Sequence, residues 1–275
     1  MSTLTPRAGA DGPQIAYEVT GDGHEPVLFI AGLADTRQAW GPLVDLLDRD
    51  HTAITFDNRG LGESESAIGP YSTIDMAADA LRVLDAAGVD SAHVVGHSLG
   101  GLVAQWIALI APSRVRRLVL SSTYAKPGPY CSRLAAVLQE TLSASGVEAT
   151  RRLLLLWAFD PDLVEAHEED IAEAERIIYH DDLAPLAMSR QLDALAAHDS
   201  AARIGEIAHP TTVIAGVDDR IVPARRTRDL RFGLRDATLE EVPGGHACFW
   251  TSPEVYSRAL AVGIEHGAGA GAERQ

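Results

Sequence analysis

Lysine is nearly absent from this chain: of its 23 basic residues only Lys126 is a lysine, which leaves no good candidate for a catalytic amine. Cysteine is scarce as well. Cys131 and Cys248 lie far apart and form neither a disulfide framework nor a metal-type spacing, so a reducing compartment is expected. No apolar run reaches the length of a membrane-spanning helix, and Met1 to Gly12 lacks the basic segment followed by an apolar one that marks a secretory leader. The expectation is a soluble, cytoplasmic protein with no membrane partner. Basic charge is outweighed by 39 acidic residues, and a net charge of −16 with no basic stripe excludes nucleic acid as a partner. The histidines at 167, 180 and 198 are scattered among acids without ligand spacing, so no metal is expected.

What is present suffices for a substantial core, with 46% hydrophobic residues in 275. Strand-like and helix-like segments alternate along the chain, which predicts an α/β fold: a mostly parallel sheet with helices on both faces. Strands are expected over 14–20, 26–30 and 52–56, each stopped by glycine, aspartate or asparagine, and over 91–95, 115–121, 211–215 and 238–242. An amphipathic helix is expected over 73–87, with Gly88 as its stop. Between Ser122 and His209 the pattern changes to helical periodicity and acidic runs without a convincing strand. The predicted organisation is therefore a core of residues 1–122 and 210–266, a helical cap inserted at 123–209, and a glycine- and alanine-rich disordered tail at 267–275.

The run Gly96-His97-Ser98-Leu99-Gly100-Gly101 sits between a buried strand and an apolar helix that Pro112 ends. In a G-x-S-x-G turn the glycines are needed because a Cβ would collide with the folded-back backbone, and the serine stands at a helix N-terminus whose free N–H groups can stabilise an oxyanion. A serine hydroxyl needs a general base, and the base an orienting carboxylate. Both occur in order. The loop Gly216-Val217-Asp218-Asp219-Arg220-Ile221-Val222-Pro223 follows one strand, and Val242-Pro243-Gly244-Gly245-His246 follows the last. Carboxylates and imidazoles at the C-terminal edge of a parallel sheet stand where catalysis belongs.

These motifs, with Asp57-Asn58-Arg59-Gly60-Leu61-Gly62-Glu63-Ser64, resemble the α/β-hydrolase fold superfamily over roughly residues 14–265 apart from the cap. The resemblance implies Ser98 as nucleophile, His246 as base and Asp219, the fourth residue of G-x-x-D, as the acid, with Asp218 as the alternative. It also implies an oxyanion hole made by the backbone N–H groups of Leu33 and Leu99. The chain departs from the family at Ala31, where a histidine is common, although Gly32 is kept. Asp57 and Arg59 are expected to fix a loop, His97 to pack, and Cys248 to act as a small buried apolar group.

Trp40, Trp157 and Phe159 are the candidate walls of a substrate pocket. The expected function is cofactor-free hydrolysis of a carboxylic ester or lactone, with a thioester as a further option, of a small hydrophobic metabolite through an acyl-enzyme. Carbon–carbon hydrolysis, perhydrolysis, a lyase or cyclase step, or small-ligand reception on the same fold are the alternatives. A homodimer is open as the protein partner.

Overall fold

A computed structural model describes residues 6–8, 12–169, 171–172 and 183–265. Eight strands form one sheet: β1 (Arg7–Ala8), β2 (Ile15–Thr20), β3 (Glu25–Ile30), β4 (His51–Phe56), β5 (Ala92–His97), β6 (Val115–Ser121), β7 (Thr211–Gly216) and β8 (Ala237–Val242). Their order is β1-β2-β4-β3-β5-β6-β7-β8. The pairs from β4 to β8 are parallel, while β1 and β2 join antiparallel at one edge. β3, β5 and β7 are buried almost throughout, which is why they read as continuous apolar runs rather than alternating ones.

Apolar side chains cover both faces of the sheet. On one, Leu28, Ile30, Val94, Leu118 and Val213 pack with the helices Thr73–Ala86 and Leu99–Ile110. On the other, Val27, Phe29, Val95, Val119 and Ile214 meet Trp40, Leu43 and the helix Pro253–Ile264. Helix Thr73–Ala86 opens with a capping box in which Ser72 and Asp75 satisfy each other's backbone N–H groups.

The segment between β6 and β7 is helical where described. Helix Pro129–Ala158 bends at Gly146, whose φ of 82° is open to glycine but not to most residues, and helices Pro161–Ala166 and Pro185–Ala197 follow. Leu134, Leu138, Leu142, Met188 and Leu192 from this segment form a third cluster with Ala34 and Leu61, with Leu33 and Ile221 packed against it. The segment thus sits over loops that leave the C-terminal ends of the strands. His180, most of the cap residues between Ala166 and Leu183, and the expected tail at 267–275 lie outside the described residues. Among those described, no helix is long and apolar enough to cross a membrane.

Candidate active site

Ser98 occupies the turn between β5 and helix Leu99–Ile110 with φ 53° and ψ −119°, a conformation L-residues rarely adopt. The surroundings hold it there. Its N–H donates to Ser121 O at 2.9 Å and its carbonyl accepts from Thr123 Oγ1 at 2.9 Å. The glycines are compulsory for reasons visible in space: a Cβ on Gly96 would strike the Gly100 carbonyl, one on Gly100 the Ile30 carbonyl, and one on Gly101 the Thr123 side chain at 2.7 Å.

Asp219 is buried and fully engaged. Its Oδ1 accepts from the N–H groups of Ile221 and Val222, each at 2.9 Å, and its Oδ2 lies 2.8 Å from His246 Nδ1. A carboxylate in that position fixes the imidazole so that Nδ1 carries the proton and Nε2 is free to accept one. Asp218 is exposed, and its N–H donates to Gly244 O at 3.0 Å, which ties the acid loop to the histidine loop. Of the two carboxylates in the sequence motif, only Asp219 reaches the imidazole.

Ser98 and His246 line one cavity of about 120 Å³, walled by apolar side chains that include Leu102, Leu134, Leu138, Leu154, Phe159 and Phe249. Cavities of this size hold a group of about benzene's dimensions. Ser98 and His246 are not hydrogen-bonded to each other, a spacing common before substrate is bound. Leu33 and Leu99 lie on the cavity wall. Among the described residues the Leu33 N–H has no acceptor, and the Leu99 N–H, at the first position of its helix, lies outside the helical ladder.

The tryptophans differ from the sequence expectation. Phe159 lines the cavity, but Trp40 does not: it is buried behind the wall, its ring 5.1 Å from Phe29 and 5.2 Å from Phe249. Trp157 packs on the apolar cluster of the helical segment and also stays off the cavity surface. Both are large apolar side chains near the site in sequence terms, and core packing claims them. His97 packs between His246, at 4.8 Å, and Phe249, at 4.7 Å, with Nδ1 3.2 Å from Ser121 Oγ. Burial, with the His246 charge beside it, pushes its pKa well below the ordinary imidazole value and keeps the ring neutral.

Asp57 and Arg59 each find another partner. Asp57 pairs with Arg37 and accepts from the N–H of Glu63 at 3.0 Å, whereas Arg59 pairs with Asp79 at 2.5 Å. Cys248 is buried, and burial first, then the Asp219 charge, pushes its thiol up to about 12, so it is no nucleophile. Among the described residues no cluster of three or more His, Cys, Asp or Glu could hold a metal ion.

Sequence reasoning missed Asp35, Arg151 and Gln191. Asp35 faces the cavity, and its Oδ2 would lie 3.0 Å from a Cβ on Gly32, a point only 3.5 Å from Ser98 Cβ. No hydrogen-bond donor among the described residues reaches the carboxyl. Burial raises it from 3.8 to about 6, against the pull of the His246 and Arg151 charges. Its position in the loop after β3, at the C-terminal edge of the sheet, was the available signal. Gln191 gave a subtler one: it falls four residues after Ala187 and three after Met188, on the buried stripe of its helix.

A strained serine elbow, a carboxylate-oriented imidazole and unengaged backbone donors around one apolar cavity define a hydrolase site. The chain belongs to the alpha/beta hydrolase fold family, whose profile matches residues 25–144. It is 34% identical over 256 residues to a protein of Azorhizobium caulinodans provisionally named carbamate hydrolase RutD, covering 93% of this chain and 96% of that one. A protein of the same provisional name from Variovorax paradoxus is 36% identical over 249 residues, or 89% and 93% of the two chains. Among solved structures, a hydrolase from Pseudomonas aeruginosa PA01 superposes with a TM-score of 0.86 at 30% identity, covering 95% of this chain and 98% of that chain.

Proposed function

We propose that this protein is a serine hydrolase that cleaves a carboxylic ester or lactone, thioesters included, of a small hydrophobic substrate through an acyl-enzyme on Ser98. The observation that carries the reading is the 2.8 Å bond between Asp219 and His246 beside a cavity that also holds the strained Ser98. Ser98 Oγ attacks the carbonyl carbon while His246 Nε2 takes its proton, and the oxyanion is received by the N–H groups of Leu33 and Leu99. Collapse of the tetrahedral intermediate breaks the bond to the leaving oxygen or sulfur, which takes the proton from His246. Water then gives a proton to His246 and attacks the acyl carbon, and as the second tetrahedral intermediate collapses His246 returns that proton to Ser98 Oγ, releasing the acid and restoring both residues. The apolar walls favour a hydrophobic acyl group.

A second reading, hydrolysis of a carbamate, is supported by the names of the relatives at 34% and 36% identity. The same residues serve it, since a carbamate carbonyl is attacked and released through the same steps. Two buried free cysteines support a cytoplasmic setting.

Intact-mass labelling with a small fluorophosphonate tests the shared core of both readings. One adduct on the wild type and none on Ser98→Ala is expected; no adduct on a folded wild type refutes the acyl-enzyme. Product analysis on matched ester, lactone and carbamate substrates then separates the two.

A further inference from the structure

The loop that follows β3 carries Gly32 and Leu33 past the nucleophile, and its next residue is conformationally awkward. Ala34 has φ 62°, in the left-handed region that alanine disfavours and glycine accepts. Both of its backbone groups are held from outside the core. Its N–H donates to Gln191 Oε1 at 2.9 Å, and its carbonyl accepts from Arg151 Nη2 at 3.3 Å. These two residues come from different helices of the segment between β6 and β7, Pro185–Ala197 and Pro129–Ala158. One further tie, from Asn58 Nδ2 to the Ala31 carbonyl at 3.2 Å, comes from the core.

Gln191 is fully buried, and only its oxygen has a partner: among the described residues its Nε2 has none. An amide is an expensive filler for an apolar helix face, where leucine would carry no unpaired donor. Its orientation is settled by the contact it makes, because a backbone N–H requires the oxygen and not the nitrogen. What this amide does is hold Ala34.

We propose that the helical segment over the site shapes the oxyanion loop: Gln191 and Arg151 are positioning residues that lock Ala34 in its left-handed conformation and so fix the direction of the adjacent Leu33 N–H. The inference rests on the acyl-enzyme reading of Ser98. It also explains how the loop keeps its shape with Ala31 in place of a larger polar side chain. An alanine at positive φ relaxes toward ordinary backbone angles when its restraints are removed, and the turn that follows Leu33 moves with it. Glycine at the same position meets no such penalty.

A double-mutant cycle between Gln191→Leu and Ala34→Gly on the full chain tests this. The readouts are the second-order rate of fluorophosphonate acylation, kcat and KM on p-nitrophenyl butanoate, and thermal melting. In the Ala34 background, Gln191→Leu is expected to slow acylation and lower kcat by about 10- to 100-fold, below the full loss of an oxyanion donor, with KM changed less than about threefold. In the Ala34→Gly background the same substitution is expected to cost no more than about threefold, and Gln191→Glu, which keeps an acceptor, recovers rate relative to Gln191→Leu. Gln191→Met, a more adaptable replacement, must repeat the pattern, which guards against a Gln191→Leu chain that melts without cooperativity.

Equal losses in both backgrounds, or wild-type acylation by Gln191→Leu and Gln191→Met, overturn the proposal. A folded wild type that takes no label at all refutes the acyl-enzyme reading and the proposal with it, and that outcome is distinct because it appears before any substitution is made.

Discussion

Replacing Asp35 with asparagine removes a charge while keeping shape, and the consequence follows from where that carboxyl stands. Its pKa rises from 3.8 in an ordinary chain to about 6 in the folded protein, chiefly because burial penalises the ionised form. At about 1.4 kcal/mol per pH unit, ionised Asp35 costs the fold about 3 kcal/mol, an upper figure because the residue is only partly buried and opens onto the cavity. The sign follows from proton binding. Between pH 3.8 and about 6 the folded chain holds this proton and the unfolded chain has lost it, so Asp35 makes wild-type stability fall as pH rises through that window. Below it the carboxyl is neutral in both states. Asp35→Asn should therefore match the wild type near pH 4 and exceed it by up to about 3 kcal/mol above pH 7, or roughly 5–10 °C in melting temperature.

The assay is urea and thermal unfolding of both proteins across pH 4–8, with acylation rates measured on the same samples. The carboxyl lines the same cavity as Ser98 and Leu33, so its charge would also oppose an oxyanion formed there on the proposed mechanism. The ratio of Asp35→Asn to wild-type acylation should climb as pH passes 6. A stability difference that stays flat from pH 4 to 8 would refute the reasoning, because it would mean that the carboxyl ionises as freely in the folded chain as in the unfolded one.

Three other outcomes are expected. Asp219→Asn should lower kcat by about 10³- to 10⁴-fold by disturbing the imidazole tautomer, while Asp218→Asn, at an exposed side chain, should leave kcat within about twofold; steady-state kinetics on one ester compares them. Gly100→Ala would drive a Cβ into the Ile30 carbonyl, and the chain should lose more than about 3 kcal/mol of stability in urea titration or fail to accumulate folded. Phe159→Ala enlarges the cavity wall, so kcat/KM across an acyl-length series should shift toward longer chains, with little change in the fluorophosphonate labelling rate.

Much of the architecture could be read from local pattern, because a strand buried on both faces must be a short apolar run and must stop where the chain turns. β6 spans residues 115–121 as expected, and β7, buried throughout, differs from expectation by one residue. The serine elbow was legible for the same reason: its glycines answer to atoms a few residues away, and Gly96 meets the carbonyl of Gly100. The pair β1 and β2 was harder. Its antiparallel edge pairing is a matter of partners rather than of residue type.

The chain by itself, then, determined the order serine, carboxylate, imidazole and the strand ends that carry them, since each motif is a run of neighbours. Tertiary structure alone decided which of two adjacent carboxylates turns inward to His246, and that Trp40 stands behind Phe249 rather than in the cavity. It alone brought Gln191 to Ala34 across 157 positions of sequence. Such contacts have no local signature, because a buried polar side chain takes its meaning from the group it meets, and only folding supplies that group.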